Sequence, residues 1–576
     1  MSQVLARAPD APSFLALRRG LDGLRQDWVR TLVMAGALAI VGWLVLYPLF
    51  ILLQMGLSTP DHHLTLQNYV TVFTEAGLVT ALVNSVLIGA GTAAVSMVLA
   101  LPMAWAVART RMPWRGFVTT CVTVAFVIPN FIGAIAWILL LGRNAGMLNV
   151  WARQLFGTFL FDIYSMPGLV LVLSLSFFPM IFFSVTAALE NVSPIYEEAA
   201  QMSGASSWRG SLGITLPLVL PSIVSSGVLV FLEAMAAFGA PAAIATGGNF
   251  PTLTTKLYDM FTYPPRFELA AAAATPIIGF TVLGLLLQRM VLGRRRYTVM
   301  TGKASRAAPV EIGWGRWMLW AYSMLVILAA VALPAFVLLR ASLLRKWVRP
   351  FAWNNLTPDN YRIFLDPGTI VPGAVLNSLL TAVAAASLAC VLGVVVVWIV
   401  ERTKLPGRGL ISFVSTVTFA FPGIALAVGF VLGYSGGLLP LYGTLWLLLL
   451  AFTAQRFPFA FMVLRNAVKQ LGTELEDAGR MSGASWSRTI LDISVPLLKS
   501  GMLAAWIMVF AVTMRELSMA ILLYVRGTET VPVAIFSFVD NGTFETAASL
   551  SVVLVVFSIA VVLLLRRFAG RSGMAL

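Results

Sequence analysis

Four ionisable residues lie inside apolar stretches of this 576-residue chain: Glu233, Arg456, Arg515 and Glu516. An ionised side chain within a bilayer is costly and normally faces a partner or a water-filled cavity. One interpretation is a pathway or gate that tolerates cations, with acids reaching the central axis from two spans. The other is structural pairing, in which Arg456 or Arg515 neutralises an acid on a neighbouring span. The sequence leaves both interpretations open.

The apolar stretches around these residues predict an all-α polytopic membrane protein. Hydrophobic residues make up 59% of the chain and charged residues 11%, with a mean hydropathy of +0.89. Apolar runs of about 20 residues can cross the hydrocarbon core as helices, and the alternating pattern of a barrel strand is missing. We predict about 12 transmembrane helices, at residues 32–56, 79–108, 116–141, 167–189, 217–241, 270–292, 318–340, 374–400, 410–433, 440–464, 496–523 and 547–566.

The basic residues set the orientation of these spans. The net charge is +15, but Lys and Arg cluster in short loops, which is the pattern that determines membrane topology. We interpret Arg109 and Arg402, at the inner ends of their spans, as such anchors. The distribution predicts that both termini lie in the cytoplasm, and we expect the chain to contact membrane lipid and no nucleic acid.

The chain is internally duplicated. Residues 198–206 return as residues 477–485, and each copy is followed at the same distance by a proline, Pro217 or Pro496. Six spans of the same orientation in each half make the halves parallel repeats. Other matching positions are Asn84-Ser85 with Asn377-Ser378, Arg109 with Arg402, Pro129 with Pro422, and Phe178-Pro179 with Phe457-Pro458. The predicted parts are a cytoplasmic segment 1–31, a first unit 32–293, a linker 294–317, a second unit 318–568 and a tail 569–576.

The duplicated segment suits the docking of a partner. It lies between spans and is rich in small residues, which let another surface approach the backbone closely. Gly204 and Gly483 are placed to end one short helix and turn into another. An acid, Glu198 or Asp477, stands early in that short helix, where the helix dipole favours it.

This pattern resembles the coupling-loop signature of binding-protein-dependent ABC importer permeases: Glu-Ala-Ala, three residues, Gly, nine residues, Ile, one residue, Leu-Pro. The first copy fits throughout, whereas the second departs at the acid, the second alanine and the leucine. The resemblance implies a multi-pass protein of the bacterial inner membrane with the type I ABC importer permease fold and with coupling loops at 190–217 and 465–496. It also implies contacts with ATPase subunits through Glu198, Ala199, Ala200, Gly204, Ala205, Asp477, Ala478, Gly479, Gly483 and Ala484.

The same resemblance implies the partners and the power source. Two copies of a cytosolic ABC ATPase subunit would bind ATP and Mg²⁺, and a periplasmic or extracellular solute-binding protein would deliver the solute for alternating access. The chain itself lacks the phosphate-binding Gly-x4-Gly-Lys-Ser/Thr loop, a zinc-type His/Cys cluster and a nucleophile–base pair. We therefore expect no enzyme activity, cofactor or metal on this chain.

A narrower resemblance concerns the solute. Residues 238–241 read Phe-Gly-Ala-Pro and residues 515–518 read Arg-Glu-Leu-Ser, which is similar to the fused ferric-iron permeases. Related permeases import thiamine, polyamine, sulfate or phosphonate. An ion-coupled secondary transporter would share the twelve spans but needs no repeated docking segment, and the scarcity of clustered polar groups near the interfaces disfavours a membrane-embedded enzyme.

Overall fold

The structure is a computed structural model that describes residues 28–61, 63–192, 202, 211–261, 264–293, 310, 312–349, 352–403, 407–418, 421–436, 439–472, 474–484 and 488–569. Regular structure within these ranges is helical, and β-type pairing of the described backbone is limited to three isolated bridges. The prediction of an all-α polytopic protein is confirmed.

The described part of the first half contains eleven α-helices. They are α1 (Trp28–Gly56), α2 (Gln67–Thr74), α3 (Ala76–Arg109), α4 (Arg115–Val127), α5 (Asn130–Leu141), α6 (Met147–Phe156), α7 (Met166–Glu190), α8 (Leu216–Ala236), α9 (Gly239–Gly248), α10 (Leu253–Asp259) and α11 (Phe267–Gly293). A π-helical turn, Ser211–Thr215, leads into α8.

The described part of the second half repeats this order. Its α-helices are α12 (Gly315–Ile327), α13 (Leu333–Ser342), α14 (Val371–Arg402), α15 (Arg408–Val417), α16 (Gly423–Tyr434), α17 (Leu445–Gln470), α18 (Glu474–Met481), α19 (Val495–Thr513), α20 (Ala520–Leu523), α21 (Val531–Asp540) and α22 (Phe544–Ala569). π-helical turns, Leu328–Ala332 and Thr489–Ser494, precede α13 and α19.

Ten helical stretches of the described residues are long and apolar enough to cross a bilayer, and α4 with α5 forms an eleventh that bends by 98°. The ninth predicted span, 410–433, coincides with α15 and α16. In both halves the helix after the break follows a proline, Pro129 or Pro422, which lacks an N–H and fits the start of a helix. Helices α5 and α16 are apolar and buried on nearly every side, as expected of central core helices.

The first span of each unit packs against the other unit. Helix α1 contacts α14 and α16, while α12 and α13 contact α3, α4 and α5. The crossing of α1 and α16 is close, because a Cβ on Gly429 would lie 2.4 Å from the carbonyl oxygen of Pro48. Small residues allow this approach within a membrane, and the hydroxyl of Tyr47 donates to the carbonyl of Gly433 over 2.9 Å.

Matched hydrogen bonds hold the end of each unit that is far from its duplicated segment. The amide N–H of Leu253, at the start of α10, donates to the hydroxyl of Ser85 over 2.8 Å. In the second unit the N–H of Val531, at the start of α21, donates to Ser378 over the same 2.8 Å. The neighbouring Asn84 and Asn377 donate to backbone carbonyls just before these helices, of Pro251, Gly527 and Glu529. The duplicated Asn-Ser pair is therefore a structural bracket.

Two predicted spans, 217–241 and 496–523, are wrong in their C-terminal portions. Helix α8 ends at Ala236, although the apolar composition continues, and α19 ends at Thr513, just before Arg515 and Glu516. Non-helical backbone at membrane depth requires other hydrogen-bond partners. The hydroxyl of Thr254 donates to the carbonyl of Ala237 over 2.8 Å, and a carboxylate oxygen of Glu516 accepts from the N–H of Met519 over 3.1 Å.

Candidate functional site

The second copy of the duplicated segment forms a short helix and a turn. Helix α18 ends at Met481, and Gly483 has φ +83°, a left-handed conformation that favours glycine at a helix end. The N–H of Ala484 donates to the carbonyl of Gly479 over 3.0 Å and closes this end. The predicted turn at Gly483 is present.

The first copy is described only at Met202. The predicted contact residues Glu198, Ala199, Ala200, Gly204 and Ala205 lie outside the described residues. Met202 is 91% exposed, and Met481, at the equivalent position of the second copy, is 90% exposed. Each segment therefore presents a fully accessible methionine, a flexible and polarizable side chain that adapts to protein surfaces.

Helix α18 separates an accessible face from a buried anchor. Asp477 and Ala478 are exposed, whereas the adjacent Glu476 is 6% exposed. A Cβ on Gly479 would lie 2.5 Å from the end of the Ile493 side chain. The glycine in place of the signature alanine thus has a local packing reason, because it leaves room for Ile493.

Glu476 anchors the segment to the membrane helices. Its carboxylate lies 3.3 Å from the guanidinium of Arg402 at the end of α14 and accepts a hydrogen bond from Ser494 over 3.1 Å. Arg402 also donates to the carbonyls of Val468 and Leu471, over 3.2 and 2.7 Å. Its interpretation as a topology anchor is therefore incomplete, since the side chain is turned inward.

The sequence prediction missed Glu476, because the acid of the coupling-loop signature is the adjacent Asp477. The internal repeat, however, points to Glu476. The acidic pair Glu476-Asp477 repeats Glu197-Glu198 in the first half, just as Arg402 repeats Arg109. Because both the acid and the arginine are duplicated, the sequence alone could have suggested an ion pair between Glu476 and Arg402.

The four charges within the membrane lie in one region. Arg456 on α17 forms a buried ion pair with Glu516, which follows α19. The guanidinium of Arg515 donates to the carbonyls of Phe126 and Val127 over 2.9 and 3.1 Å and lies 5.5 Å from the ring centroid of Phe126. Arg515 of the second unit therefore caps the end of α4 at the broken span of the first unit.

Glu233 stands apart from these pairings. It lies in the last turn of α8, its side chain is exposed, and it interacts electrostatically with Arg456 and Arg515. Within the described part of the chain it forms no ion pair. The structural alternative thus accounts for Arg456 and Glu516. Glu516 does not lie within a continuous helix of the predicted span 496–523, because α19 ends at Thr513.

No group of three or more His, Cys, Asp or Glu could hold a metal ion among the residues that the structure describes. His63, in the loop between α1 and α2, is described, but its neighbour His62 is not.

One chain thus contains two helical membrane units with the same order of helices, and a short duplicated segment lies between spans in each. The sequence matches the family described as binding-protein-dependent transport system inner membrane component twice, over residues 96–297 and 389–572. The chain belongs to this family and is a permease subunit of a binding-protein-dependent ABC importer, with the predicted type I permease fold.

The chain is similar to several named permeases. The ferric transport system permease protein FbpB of Actinobacillus pleuropneumoniae is 25% identical over 86% of this chain and 72% of its own length. The putative ferric transport system permease protein FbpB 1 of Haemophilus influenzae is 25% identical over 80% of this chain and 73% of its own. A putative 2-aminoethylphosphonate permease, PhnV of Salmonella paratyphi A, is 28% identical over 42% of this chain and 90% of its own.

Among solved structures, a bacterial ABC transporter involved in the import of the acidic polysaccharide alginate aligns with a TM-score of 0.40 and 20% identity. The alignment covers 49% of this chain and 99% of that chain.

Proposed function

We propose that this permease imports ferric iron, which a binding protein delivers at the outer face. The observation that carries the proposal is coverage: relatives named as ferric permeases align with 86% and 80% of the chain, across both units. The phosphonate and molybdenum permeases align with 42% and 36% of it. Thiamine, polyamine, sulfate and phosphonate are the competing solutes.

The power comes from two cytosolic ABC ATPase subunits, which bind ATP and Mg²⁺ and dock on the duplicated segments. The accessible Asp477, Ala478 and Met481 on α18 support this docking surface, as does Met202 in the first copy. Both segments then lie in the cytoplasm, and so do both termini.

The solute passes between the units near Glu233, while Arg456, Arg515 and Glu516 hold the gate. Ferric iron is a hard cation that prefers oxygen ligands. The exposed carboxylate of Glu233 offers such a ligand, whereas the carboxylate of Glu516 is occupied by Arg456 and by the N–H of Met519. The pathway therefore has one available acid beside a neutralised pair.

The docking surface is tested by co-purification of the ATPase subunit with the M202K/M481K variant. We expect a loss of at least about tenfold in retained ATPase, since interface anchors commonly contribute 2 kcal/mol or more. Met318, an exposed methionine in the first turn of α12, provides the control M318K. Undiminished retention in the double variant would contradict docking on these segments.

The solute is tested in proteoliposomes that contain the chain, its ATPase subunits and its binding protein. We expect ATP-dependent uptake of ferric iron, in preference to thiamine, polyamine, sulfate or phosphonate. Glu233→Gln should slow uptake, while Glu75→Gln, at an exposed acid paired with Arg266, should not. ATP-dependent uptake of another of these solutes alone would refute the iron proposal, and uptake driven only by an ion gradient would favour a secondary transporter.

A further inference from the structure

We propose that Arg402 and Glu476 form the link through which the docking segment of the second unit moves its membrane helices. Arg402, Glu476 and Ser494 are positioning residues in this proposal, because they act through the segment and touch neither solute nor nucleotide. The inference rests on the proposed docking of an ATPase subunit on α18.

The link is shielded from water. The side chains of Arg402 and Glu476 are 11% and 8% exposed, and Nε of the arginine lies 3.3 Å from Oε1 of the glutamate. Ser494, itself buried, donates to the same carboxylate oxygen over 3.1 Å. A charge pair with so little exposure is weakly screened by salt, so it persists under conditions that weaken surface pairs.

One guanidinium joins three helices. Arg402 ends α14, pairs with α18 through Glu476, and donates to the carbonyls of Val468 and Leu471 at the end of α17. The last carbonyls of a helix lack partners within it, and a positive charge there is favourable. Through Ser494 the carboxylate also reaches the turn that leads into α19.

Through these contacts a displacement of α18 is transmitted to the membrane helices. Helices α14, α17 and α19 pack against one another, so a force applied at Glu476 acts on three spans as a unit. Helix α18 has only eight residues, and its exposed face is assigned to the partner. Buried ion pairs contribute little net stability compared with apolar packing, which points to positioning as the use of this pair.

The internal repeat supports the assignment independently. The positions of Arg402 and Ser494 correspond to Arg109 and Thr215, which are 2% and 1% exposed. The first half also has a glutamate, Glu197, at the position of Glu476, although Glu197 lies outside the described residues. Arginine, glutamate and hydroxyl thus occur at equivalent positions in both halves, and the arginine and the hydroxyl residue have little exposure in each.

The chain contains a matched control for the link. Glu401, adjacent to Arg402, pairs with Arg465 and so joins α14 to α17 without reaching α18. It has the same residue types in the same region and tests whether any ion pair at these helix ends affects coupling.

The test uses the complete complex of chain, ATPase subunits and binding protein in proteoliposomes, with E476Q, R402M, the double variant and E401Q compared. Solute uptake and ATP hydrolysis are measured together. We expect E476Q to retain its ATPase subunits and to hydrolyse ATP, while solute transported per ATP falls about tenfold, within the usual range of coupling free energies.

Two further readouts separate positioning from simple stability. The double variant should couple no worse than either single variant, because partners in one pair are not additive, and R402K should recover part of the loss in R402M. E401Q should stay within about twofold of the wild type. If R402M does not assemble, Ser494→Ala removes only the hydroxyl that holds Glu476 and should still lower the ratio.

Wild-type transport per ATP in E476Q and S494A, or additive losses in the double variant, would overturn the link. Those results differ from a failure of the proposed docking, in which the wild-type chain itself would not retain its ATPase subunits.

Discussion

The two units are alike at their ends and different in the middle of the membrane. At the end far from the duplicated segments, Ser85 and Ser378 accept equivalent backbone hydrogen bonds over the same distance. At the opposite end, Arg109 is buried and the side chain of Arg402, at the equivalent position, is only 11% exposed. In the middle, Arg456 of the second unit corresponds to Phe177 of the first unit.

Other central positions differ in the same way. Arg515 and Glu516 correspond to Ala236 and Ala237, and Gln455 corresponds to Ser176. The first unit forms the same order of helices without these charges, so the bundle does not require them. The two units therefore share the polar contacts at their ends, while these central charges belong to the second unit alone.

The largest effect should come from breaking the central pair. Arg456→Met leaves Glu516 buried without its partner, which we expect to cost roughly 3–5 kcal/mol and to lower the thermal unfolding temperature of the detergent-purified protein strongly. The equivalent change in the first unit, Phe177→Met, replaces one apolar side chain by another and should cost less than about 1.5 kcal/mol.

Adding Glu516→Gln to Arg456→Met provides the check on this reasoning. The double variant should regain much of the lost stability, because the uncompensated charge is removed. Equal destabilisation in the single and double variants would show that the ion pair is not the cause.

A smaller effect should follow from loss of the bridge between units. Arg515→Met removes two hydrogen bonds from a charged donor to the end of α4, with an expected cost of about 2 kcal/mol. Amide hydrogen exchange should accelerate in a peptide covering residues 120–131 and stay unchanged in residues 413–424, the equivalent part of the second unit. Similar acceleration in both peptides would indicate general loosening and contradict a local cap.

The smallest effect should come from the brackets that the duplicated Asn-Ser pairs form, and it tests how alike the two units are. Ser85→Ala and Ser378→Ala each remove one acceptor for a buried N–H, and each should cost about 1 kcal/mol. Thermal unfolding of the two variants should agree closely. A difference larger than about 1 kcal/mol would mean that the brackets are not equivalent in energy, whatever their geometry.

Much of the architecture could be predicted because a bilayer constrains helix length and composition directly. The predicted span 374–400 lies within α14, and the predicted span 167–189 lies within α7. The helix end at Ala236 could not be predicted, since the sequence stays apolar beyond it and the hydrogen-bond partner of the next carbonyl comes from another helix. Thr254 binds the carbonyl of Ala237 from 17 residues further along the chain.

The candidate sites were predicted unevenly for the same reason. The turn at Gly483 could be predicted because a turn depends only on local backbone conformation, and the φ of +83° at Gly483 agrees with the prediction. Glu476 was missed because its importance depends on Arg402, on another helix. The contacts of Arg515 with Phe126 and Val127 join residues almost 390 positions apart, which no local pattern reveals.

The packing of each unit's first span against the other unit has a consequence for biosynthesis. Helix α1 is synthesised well before its partner α16, which begins at Gly423, 367 residues after the end of α1 at Gly56. At ribosomal speeds of about 5–20 residues per second this interval is roughly 20–70 s. During that time the face of α1 bearing Tyr47 and Pro48 must be covered by lipid or by a chaperone, whereas α13 meets a completed α5 as soon as it inserts. The nascent first unit is therefore the vulnerable one, and slow elongation should harm it more than the second.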